Sequence, residues 1–352
     1  MSVFFLNIFL LLFTSLASFI SLYFLYKYAY LHKLYDSRDE RKEHDGEIPL
    51  IGGPSIYLGV FLSIFFFQIT TDNLYFIFLL STIVFILGLV DDKKSLSPSF
   101  RLLIQIFVAS MLYYEGTNIS FMAFIEDHTF SSLPNFLSFF ITVFFVVGII
   151  NSINFLDGID GLAGAIVVLI IIFLFGIAIF NNQPIIALIC LILISGILPF
   201  LLQNLGLIFK TKKVFLGDSG STLLGFSIAW ISIRLINTNH DLFESQISNL
   251  VSILWIIALP IMDSFSVIFR RVIHAKSPFK PDRTHIHHML QNRNFSDKNA
   301  LLVIIMISFL LSSFGLLISY YLDNYLYSLG VFITALLIYF MVFISITEKK
   351  SP

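Results

Sequence analysis

Four polar residues recur at every third position of segment 151–164, inside a chain that is otherwise strongly apolar. They are two carboxamides and two carboxylates: Asn151, Asn154, Asp157 and Asp160. Where the segment is helical, neighbours three positions apart lie on one side and point their oxygen atoms in one direction. Gly158, Gly161 and Gly164 follow the same step and let backbone or a ligand approach closely. The alternative is an Asp-Gly turn in which Asp160 caps the next helix.

Carboxylates also stand at the ends of two other apolar runs. Asp91 and Asp92 close one run, at a helix C-terminus, where the helix macrodipole disfavours negative charge. The adjacent lysines or a bound cation would offset that cost, and Arg101 follows near the same surface. Asp218, in Gly-Asp-Ser-Gly-Ser, begins a later run, where capping of the helix is the simpler interpretation.

Asp263 lies inside an apolar run, three residues after Pro260. A carboxylate in a membrane segment is by default a functional candidate, and hydrogen bonding between helices is the alternative. Proline removes a backbone donor, so this helix should be kinked.

Histidines and basic residues share two loops. The first, 36–54, contains Lys42 and His44 and ends in Gly52-Gly53, whose backbone N–H groups would admit phosphate oxygens. The second, 277–290, contains four candidate donors to phosphate or sugar oxygens: Arg283, His285, His287 and His288. Neither loop has the His-Glu-x-x-His of a zinc helix, so zinc is not expected. A solvated loop is the alternative for both.

Two familiar catalytic motifs are excluded. Gly-Asp-Ser-Gly occurs in serine hydrolases, but here it opens a membrane helix without the strand and turn of a nucleophile elbow. No Gly-Lys-Ser/Thr follows a glycine by four residues, so there is no P-loop.

The composition places these motifs in a membrane protein. Of 352 residues, 57% are hydrophobic, 41 are Phe and 12% are charged, which leaves too little polar surface for a soluble globule. Apolar runs of about 17–25 residues can span hydrocarbon, and about eleven can be drawn, or ten if the short fourth run is not a span. We predict an all-α, polytopic membrane protein with a kinked ninth helix and these spans: 3–26, 50–69, 74–90, 100–115, 135–153, 161–180, 185–204, 219–236, 247–270, 299–322 and 326–346.

Basic residues are sorted by side of the membrane, with Arg234 as the exception. The positive-inside rule therefore places the N-terminus outside and the C-terminus in the cytoplasm. The lipid bilayer is the expected partner, nucleic acid is not, and the lone Cys190 is expected to serve packing. We predict one membrane domain, residues 1–352, whose active site is built from cytoplasmic loops 27–53, 91–101, 151–164, 205–222 and 271–298.

Each motif loop leads into the cytoplasmic end of a helix. Five helix N-termini would then face one surface, where free N–H groups and basic side chains suit an anion. Five carboxylates share that face: Asp91, Asp92, Asp157, Asp160 and Asp218. Carboxylates suit a phosphate site when a hard divalent cation bridges them, and oxygen ligands point to Mg²⁺, or to Mn²⁺. The sequence therefore predicts metal-assisted phosphoryl transfer.

Five motifs, in this order, resemble those of the polyprenyl-phosphate N-acetylhexosamine-1-phosphate transferases, glycosyltransferase family 4. They are Arg-Lys-x-His before Pro-Leu-Ile-Gly-Gly, the Asp91-Asp92 pair, Asn-x-x-Asn-x-x-Asp-Gly-x-Asp-Gly, Gly-Asp-Ser-Gly-Ser and Asp-Arg-x-His-Ile-His-His, and they cover nearly the whole chain. The last motif is similar to that of the bacterial enzymes that load GlcNAc 1-phosphate onto undecaprenyl phosphate. The peptidoglycan branch typically has three consecutive histidines and a Lys three residues after the Asp pair, whereas Ile286 and Ser95 stand here.

The resemblance implies a role for each motif. Asp218 and Asn154 would hold Mg²⁺ with the diphosphate, and Asp91 and Asp92 would be the catalytic pair at the lipid phosphate. The nucleotide would be bound by Asp157, Asp160, Gly161, Lys42 and Lys213. Sugar and phosphate would be held by Arg283, His285, His287 and His288. Three further candidates are His44, Arg101 and Asp263, and the kinked ninth span would line the groove for the lipid tail.

The implied reaction transfers HexNAc 1-phosphate, with GlcNAc expected, from a UDP-sugar to undecaprenyl phosphate. It would give undecaprenyl-diphosphate-HexNAc and UMP, at the cytoplasmic face of the bacterial inner membrane, as the first membrane step of a cell-envelope polysaccharide. The resemblance also implies a homodimer. A UDP-FucNAc-type, bacillosamine-type or MurNAc-pentapeptide donor is the alternative within this reaction.

Two alternatives belong to other classes. A transporter would place its ionisable residues near the bilayer midplane, whereas here they crowd one interface. A scaffold without activity would not need every acidic motif.

For the transferase, the second pKa of a phosphate monoester is about 6, so the lipid phosphate is mostly dianionic at neutral pH. We therefore expect the Asp pair to orient the nucleophile rather than to act mainly as a base.

Overall fold

The protein is mostly helical in a computed structural model, which describes residues 2–36, 47–69, 73–123, 130–209, 212–237, 250–275, 277, 284–322 and 325–348. In these residues the helices are α1 (Ser2–Leu31), α2 (Gly52–Phe66), α3 (Leu74–Lys94), α4 (Pro98–Tyr114), α5 (Asn135–Phe155), α6 (Leu162–Phe180), α7 (Pro184–Asn204), α8 (Gly217–Ile236), α9 (Leu250–Ile256), α10 (Ala258–Ile273), α11 (Ile286–Gln291), α12 (Asp297–Tyr321) and α13 (Tyr325–Glu348). Two short antiparallel pairs were not predicted: β1 (Tyr35–Asp36) with β2 (Ile48–Pro49), and β3 (Phe121–Ala123) with β4 (Phe130–Ser132).

The prediction of a polytopic helical membrane protein is confirmed. Within the described residues, eight helices are long and apolar enough to cross a bilayer, and the bent pair α9–α10 makes up to nine. The predicted spans 50–69 and 100–115 correspond to the shorter helices α2 and α4, of 15 and 17 residues. At 1.5 Å per residue these are about 22 and 25 Å long, against about 30 Å of hydrocarbon. Each of the eleven predicted runs therefore contains a helix within its described residues. The number of spans and the positions of the termini relative to the membrane stay predictions.

The predicted kink lies between α9 and α10, which meet at 79°. The break falls at Ile257, one turn before Pro260. In a continuous helix the N–H of residue 260 would bond to the carbonyl of Ile256, and proline has no N–H to donate. The Ser312 hydroxyl of α12 donates to that carbonyl instead, at 3.2 Å. A side chain from a neighbouring helix thus satisfies the acceptor that the proline leaves open.

Helix α8 lies at the centre of the fold, and 17 of its 20 residues are buried. It packs on α2, α3, α5 and α6. Small residues allow the close approach: a Cβ at Gly88 would come within 2.5 Å of Ser219 Cα, and a Cβ at Gly225 within 2.7 Å of Ile150 Cα. Small residues at such contacts are the usual means by which membrane helices pack backbone against backbone. Helices α1, α12 and α13 are far less buried and present apolar side chains outward.

Candidate active site

The first turn of α8 contacts the last turns of α5. Asn154 Nδ2 donates to Asp218 Oδ1 at 2.5 Å and to Ser221 Oγ at 2.9 Å. These residues are 64 and 67 positions apart in sequence, so the predicted convergence of segment 151–164 with Gly-Asp-Ser-Gly-Ser is present in the fold. The N-cap of α8 is Leu216, and Asp218 does not cap the helix. The capping alternative for Asp218 therefore does not explain its presence.

The carboxylate of Asp92 accepts hydrogen bonds from backbone N–H groups in the first turn of α8. Its Oδ1 accepts from the N–H of Asp218 at 2.7 Å, and its Oδ2 accepts from the N–H of Ser219 at 3.1 Å. Gly217 has φ = +75°, and a Cβ there would lie 2.7 Å from Asp92 Oδ2, so glycine is required on both grounds. The carboxylate that the dipole of α3 disfavours is thus stabilised by the positive end of α8.

Asp91 is buried and makes two hydrogen bonds of its own. Arg101 Nη1 donates to Asp91 Oδ2 at 2.6 Å, and the N–H of Leu96 donates to Oδ1 at 2.6 Å. Lys93 and Lys94, which the sequence offers as neutralising neighbours, are exposed instead. Arg101 is therefore the cation that balances Asp91, and the short turn between α3 and α4 is held by the same carboxylate.

Asp157 lies in the turn between α5 and α6. It keeps solvent-exposed surface, but surrounding protein displaces much of its hydration. This desolvation, with the negative charges of Asp218, Asp92 and Asp160, raises the pKa of Asp157 to about 7. The four carboxylates are thus close enough to repel one another, which is an arrangement that attracts a cation.

The acidic group is not a complete metal cage. In the described part of the chain, no three His, Cys, Asp or Glu side chains are grouped as a metal site of that kind would require. Mg²⁺ does not need one, because it keeps several waters and commonly takes one or two carboxylates together with substrate phosphates. The site has more carboxylate oxygens than basic side chains to balance them, and the pKa of Asp157 is raised. Both features fit a hard divalent cation that binds together with a phosphate ligand.

Asp160 and Lys213, both predicted to bind the nucleotide, form a salt bridge of 2.6 Å (Nζ to Oδ2). Each side chain is about one third exposed, so the pair faces solvent. Asp160 does not cap α6: the N-cap is Gly161, with φ = +77°. The N–H of Gly161 donates to Asn204 Oδ1 at 2.5 Å, so Asn204 of α7 holds this turn in place.

Several helix N-termini are occupied by protein oxygens rather than open to an anion. The N–H groups of Gly52 and Gly53 donate to the carbonyls of Phe215 and Leu216, both at 2.9 Å. A Cβ at Gly53 would overlap the backbone of Gly220. The expectation that these glycines admit phosphate is therefore wrong: they let α2 pack against the start of α8. Buried N–H groups need partners, and here the carbonyls just before α8 accept from them.

Residues 285–288, called the histidine loop from here on, are anchored on α10. His285 Nδ1 lies 2.8 Å from Asp263 Oδ2, and the N–H of Ile286 donates to Asp263 Oδ1 at 2.9 Å. His287 is buried, and its ring lies against Gly158, where any Cβ would overlap it. The histidine loop therefore packs on the turn that carries Asp157 and Asp160. His288 Nδ1 lies 3.0 Å from Gln291 Oε1 in α11.

The His287→Gln variant is expected to show a weaker loss of stability on acidification than the wild type. Desolvation, followed by the charges of His288 and His285, lowers the pKa of His287 to about 3, against about 6.5 in an unfolded chain. Between these values the unfolded chain binds a proton that the folded chain excludes. Stability from this residue is therefore complete above about pH 6.5 and declines as the pH falls toward the folded pKa, by about 1.4 kcal/mol per unit.

Thermal unfolding of the detergent-solubilised protein, from about pH 7.5 to 5, measures this effect. The wild-type midpoint should fall more steeply with pH than that of His287→Gln. The exposed His274, replaced by Gln, is the matched control and should keep the wild-type slope. Parallel curves for wild type and His287→Gln would contradict the assignment.

Three predicted site residues, Lys42, His44 and Arg283, lie outside the described residues. Further contributors lie outside the predicted site residues. Gln105 Oε1 accepts from Asn151 Nδ2 at 2.7 Å, which ties α4 to α5, and Asn204 Nδ2 donates to the carbonyl of Val214. The sequence carried a signal for Asn204: Gln203 and Asn204 are adjacent carboxamides at the end of a long apolar run, and unpaired carboxamides are costly in hydrocarbon. Tyr339, which donates to Asp263, carries no such signal.

Comparisons with known proteins show which family the chain resembles. The profile of the family described as "Glycosyl transferase family 4" matches residues 74–236. The chain is 35% identical over 302 residues to the undecaprenyl-phosphate alpha-N-acetylglucosaminyl 1-phosphate transferase of Escherichia coli K12, covering 85% of this chain and 80% of that protein. It is 36% identical over 347 residues to the protein of the same description from Haemophilus influenzae, covering 95% and 92%. The corresponding Salmonella typhimurium protein is 31% identical over 288 residues, covering 82% and 77%.

Proposed function

The chain belongs to glycosyl transferase family 4, and we propose that it transfers GlcNAc 1-phosphate from UDP-GlcNAc to undecaprenyl phosphate, releasing UMP. The observation that carries this proposal is the contact of Asn154 with Asp218. It brings two distant polar motifs together beside Asp92 and Asp157, at one end of the helix bundle. The descriptions of the relatives name the lipid phosphate and the transferred N-acetylglucosaminyl 1-phosphate group. The UDP donor is inferred from the family, and the acidic site suits phosphoryl transfer.

In the proposed reaction, an oxygen of the lipid phosphate attacks the β-phosphorus of the UDP-sugar. The new P–O bond forms the lipid diphosphate as the bond from the β-phosphorus to the UMP oxygen breaks, and UMP leaves with the electron pair. Such transfers depend on in-line positioning of two polyanions and on neutralisation of charge on the leaving group. No proton needs to be removed from a dianionic phosphate, so positioning is the main task of the protein.

The positions of the side chains suit that task. Asp91 holds Arg101, whose guanidinium would pair with a phosphate. Asp92 holds the first turn of α8 and with it Asp218. Asp160 and Lys213 are exposed as a pair that would meet the nucleotide. His285 and His288, from the histidine loop, would donate to phosphate or sugar oxygens.

A divalent cation, Mg²⁺ or Mn²⁺, belongs to this proposal. Asp218 would hold it through a carboxylate oxygen and Asn154 through its amide oxygen, and the two side chains are in contact in this structure. When bound, it would neutralise charge on the diphosphate and on departing UMP. We also propose, from the sorting of basic loops, that the site faces the cytoplasm and that the N-terminus lies outside.

The test is UMP release by the purified protein with undecaprenyl phosphate, Mg²⁺ and a panel of UDP-sugars. UDP-GlcNAc should give UMP and a lipid diphosphate, with UDP-GlcNAc omitted or undecaprenyl phosphate omitted as controls. UMP release from a different UDP-HexNAc alone would retain the reaction and replace the sugar. Substrate flux into vesicles without UMP release would favour a transporter and overturn the proposal.

A further inference from the structure

Asp263 is a buried carboxylate with three hydrogen-bond donors, two of them adjacent in sequence and the third from α13. It is 1% exposed and lies in α10, among apolar residues. His285 Nδ1, the N–H of Ile286 and the hydroxyl of Tyr339 in α13 lie at 2.8, 2.9 and 3.2 Å from its oxygens. A buried charge without partners is costly, whereas this one is satisfied on both oxygens. Its contacts therefore fix the positions of His285 and Ile286, the first two residues of the histidine loop.

His285 links this carboxylate to the candidate site. Its ring lies 5.6 Å, between centroids, from the ring of Phe155, the residue after Asn154. The ring is also parallel to that of His287, at 5.9 Å. No described residue makes a hydrogen bond at His285 Nε2. One edge of the imidazole is thus held by Asp263, and the opposite edge is available to a ligand beside the end of α5.

We propose that Asp263 is a positioning residue, which holds His285 with Nδ1–H toward α10 and Nε2 toward a phosphate oxygen of the substrate. The inference rests on the proposed transferase function. A carboxylate at Nδ1 fixes the orientation of the ring. It also stabilises the imidazolium, the form in which Nδ1–H donates to Asp263 and Nε2–H donates to the phosphate oxygen. The same carboxylate caps the first turn of α11 through Ile286, so loop position and ring orientation depend on one side chain.

Tyr339 contributes less than Ile286 and His285 to the hydrogen bonds of Asp263 that reach the histidine loop. Its hydroxyl donates to the oxygen that also accepts from Ile286, so the oxygen facing His285 does not depend on it. Removal of the hydroxyl leaves the contact between Asp263 and His285 intact. Tyr339→Phe is therefore a matched control for a loss of polar contacts in this network.

The test is a double-mutant cycle of Asp263→Asn and His285→Asn, scored as UMP release from UDP-GlcNAc. Asp263→Asn should lower kcat by about 10–100-fold with a much smaller change in KM, because misplacement of a single group can cost about that much. The double variant should be no slower than His285→Asn alone, since the carboxylate acts through the histidine. Tyr339→Phe should stay within about threefold of the wild type, the value of one weak hydrogen bond.

Additive losses in the cycle would overturn the inference, because they would mean that Asp263 acts independently of His285. If Asp263→Asn cannot be purified as a monodisperse protein, Asp263→Glu completes the cycle, since it keeps the charge and displaces it by one methylene. Failure of the wild type to release UMP would instead overturn the proposed function. The two failures are therefore distinguishable.

Discussion

The Asp218→Asn variant is expected to turn over about 10³-fold more slowly than the wild type, since metal-assisted charge stabilisation is worth several kcal/mol and each 1.36 kcal/mol is tenfold. Asparagine keeps the shape of the side chain but removes the charge that would hold a divalent cation. It also places an amide where Asn154 Nδ2 now donates to a carboxylate oxygen. UMP release by purified protein at saturating Mg²⁺ measures the loss.

Two controls separate the metal from the hydrogen-bond network. Ser221→Ala removes the other acceptor of Asn154 Nδ2 and should cost no more than about tenfold, the value of one neutral hydrogen bond. Wild-type turnover should stop in EDTA and return with excess Mg²⁺ or Mn²⁺. Undiminished wild-type turnover in EDTA, or Asp218→Asn with near-normal turnover, would contradict a metal at this position.

The convergence of the acidic motifs could be predicted because polar groups are costly in an apolar chain and therefore gather. Asn154 and Asp218 are in contact, as that reasoning requires. The partner of each carboxylate could not be predicted. Arg101 faces Asp91 because the turn after α3 is short, and Asp92 reaches α8 because glycine lets α3 and α8 approach closely. Both depend on tertiary packing, which the sequence pattern does not encode locally.

The helices were predictable for a similar reason, and their arrangement was not. A long apolar run must be helical in a bilayer, because the helix alone satisfies its backbone groups within the segment. Pro260 predicted the break between α9 and α10, although the break lies one turn earlier in the sequence, at Ile257. The central position of α8 depends on small residues such as Gly225, and the sequence shows them without showing which helix they admit.

The Asp91→Asn and Asp92→Asn variants are each expected to lose about 10²-fold in kcat, since a small misplacement of a reacting group costs about that much. Each carboxylate accepts two hydrogen bonds, one on each oxygen. A carboxamide can accept on one side only, and its NH₂ would face a donor on the other. Lys93→Gln is the matched control, because Lys93 is the exposed next residue of the same helix, and it should stay within about threefold of wild type.

The pH dependence of these two variants distinguishes positioning from general base catalysis. If the pair orients the lipid phosphate, the loss should be the same from about pH 8 to 9.5, because the phosphate is dianionic throughout that range. Recovery at high pH would mean that hydroxide replaces a missing base, and the positioning role would be wrong.

The two variants should also differ from each other. Asp92→Asn disturbs the first turn of α8 and should raise the Mg²⁺ requirement through Asp218, whereas Asp91→Asn releases Arg101 and should raise KM for an anionic substrate instead.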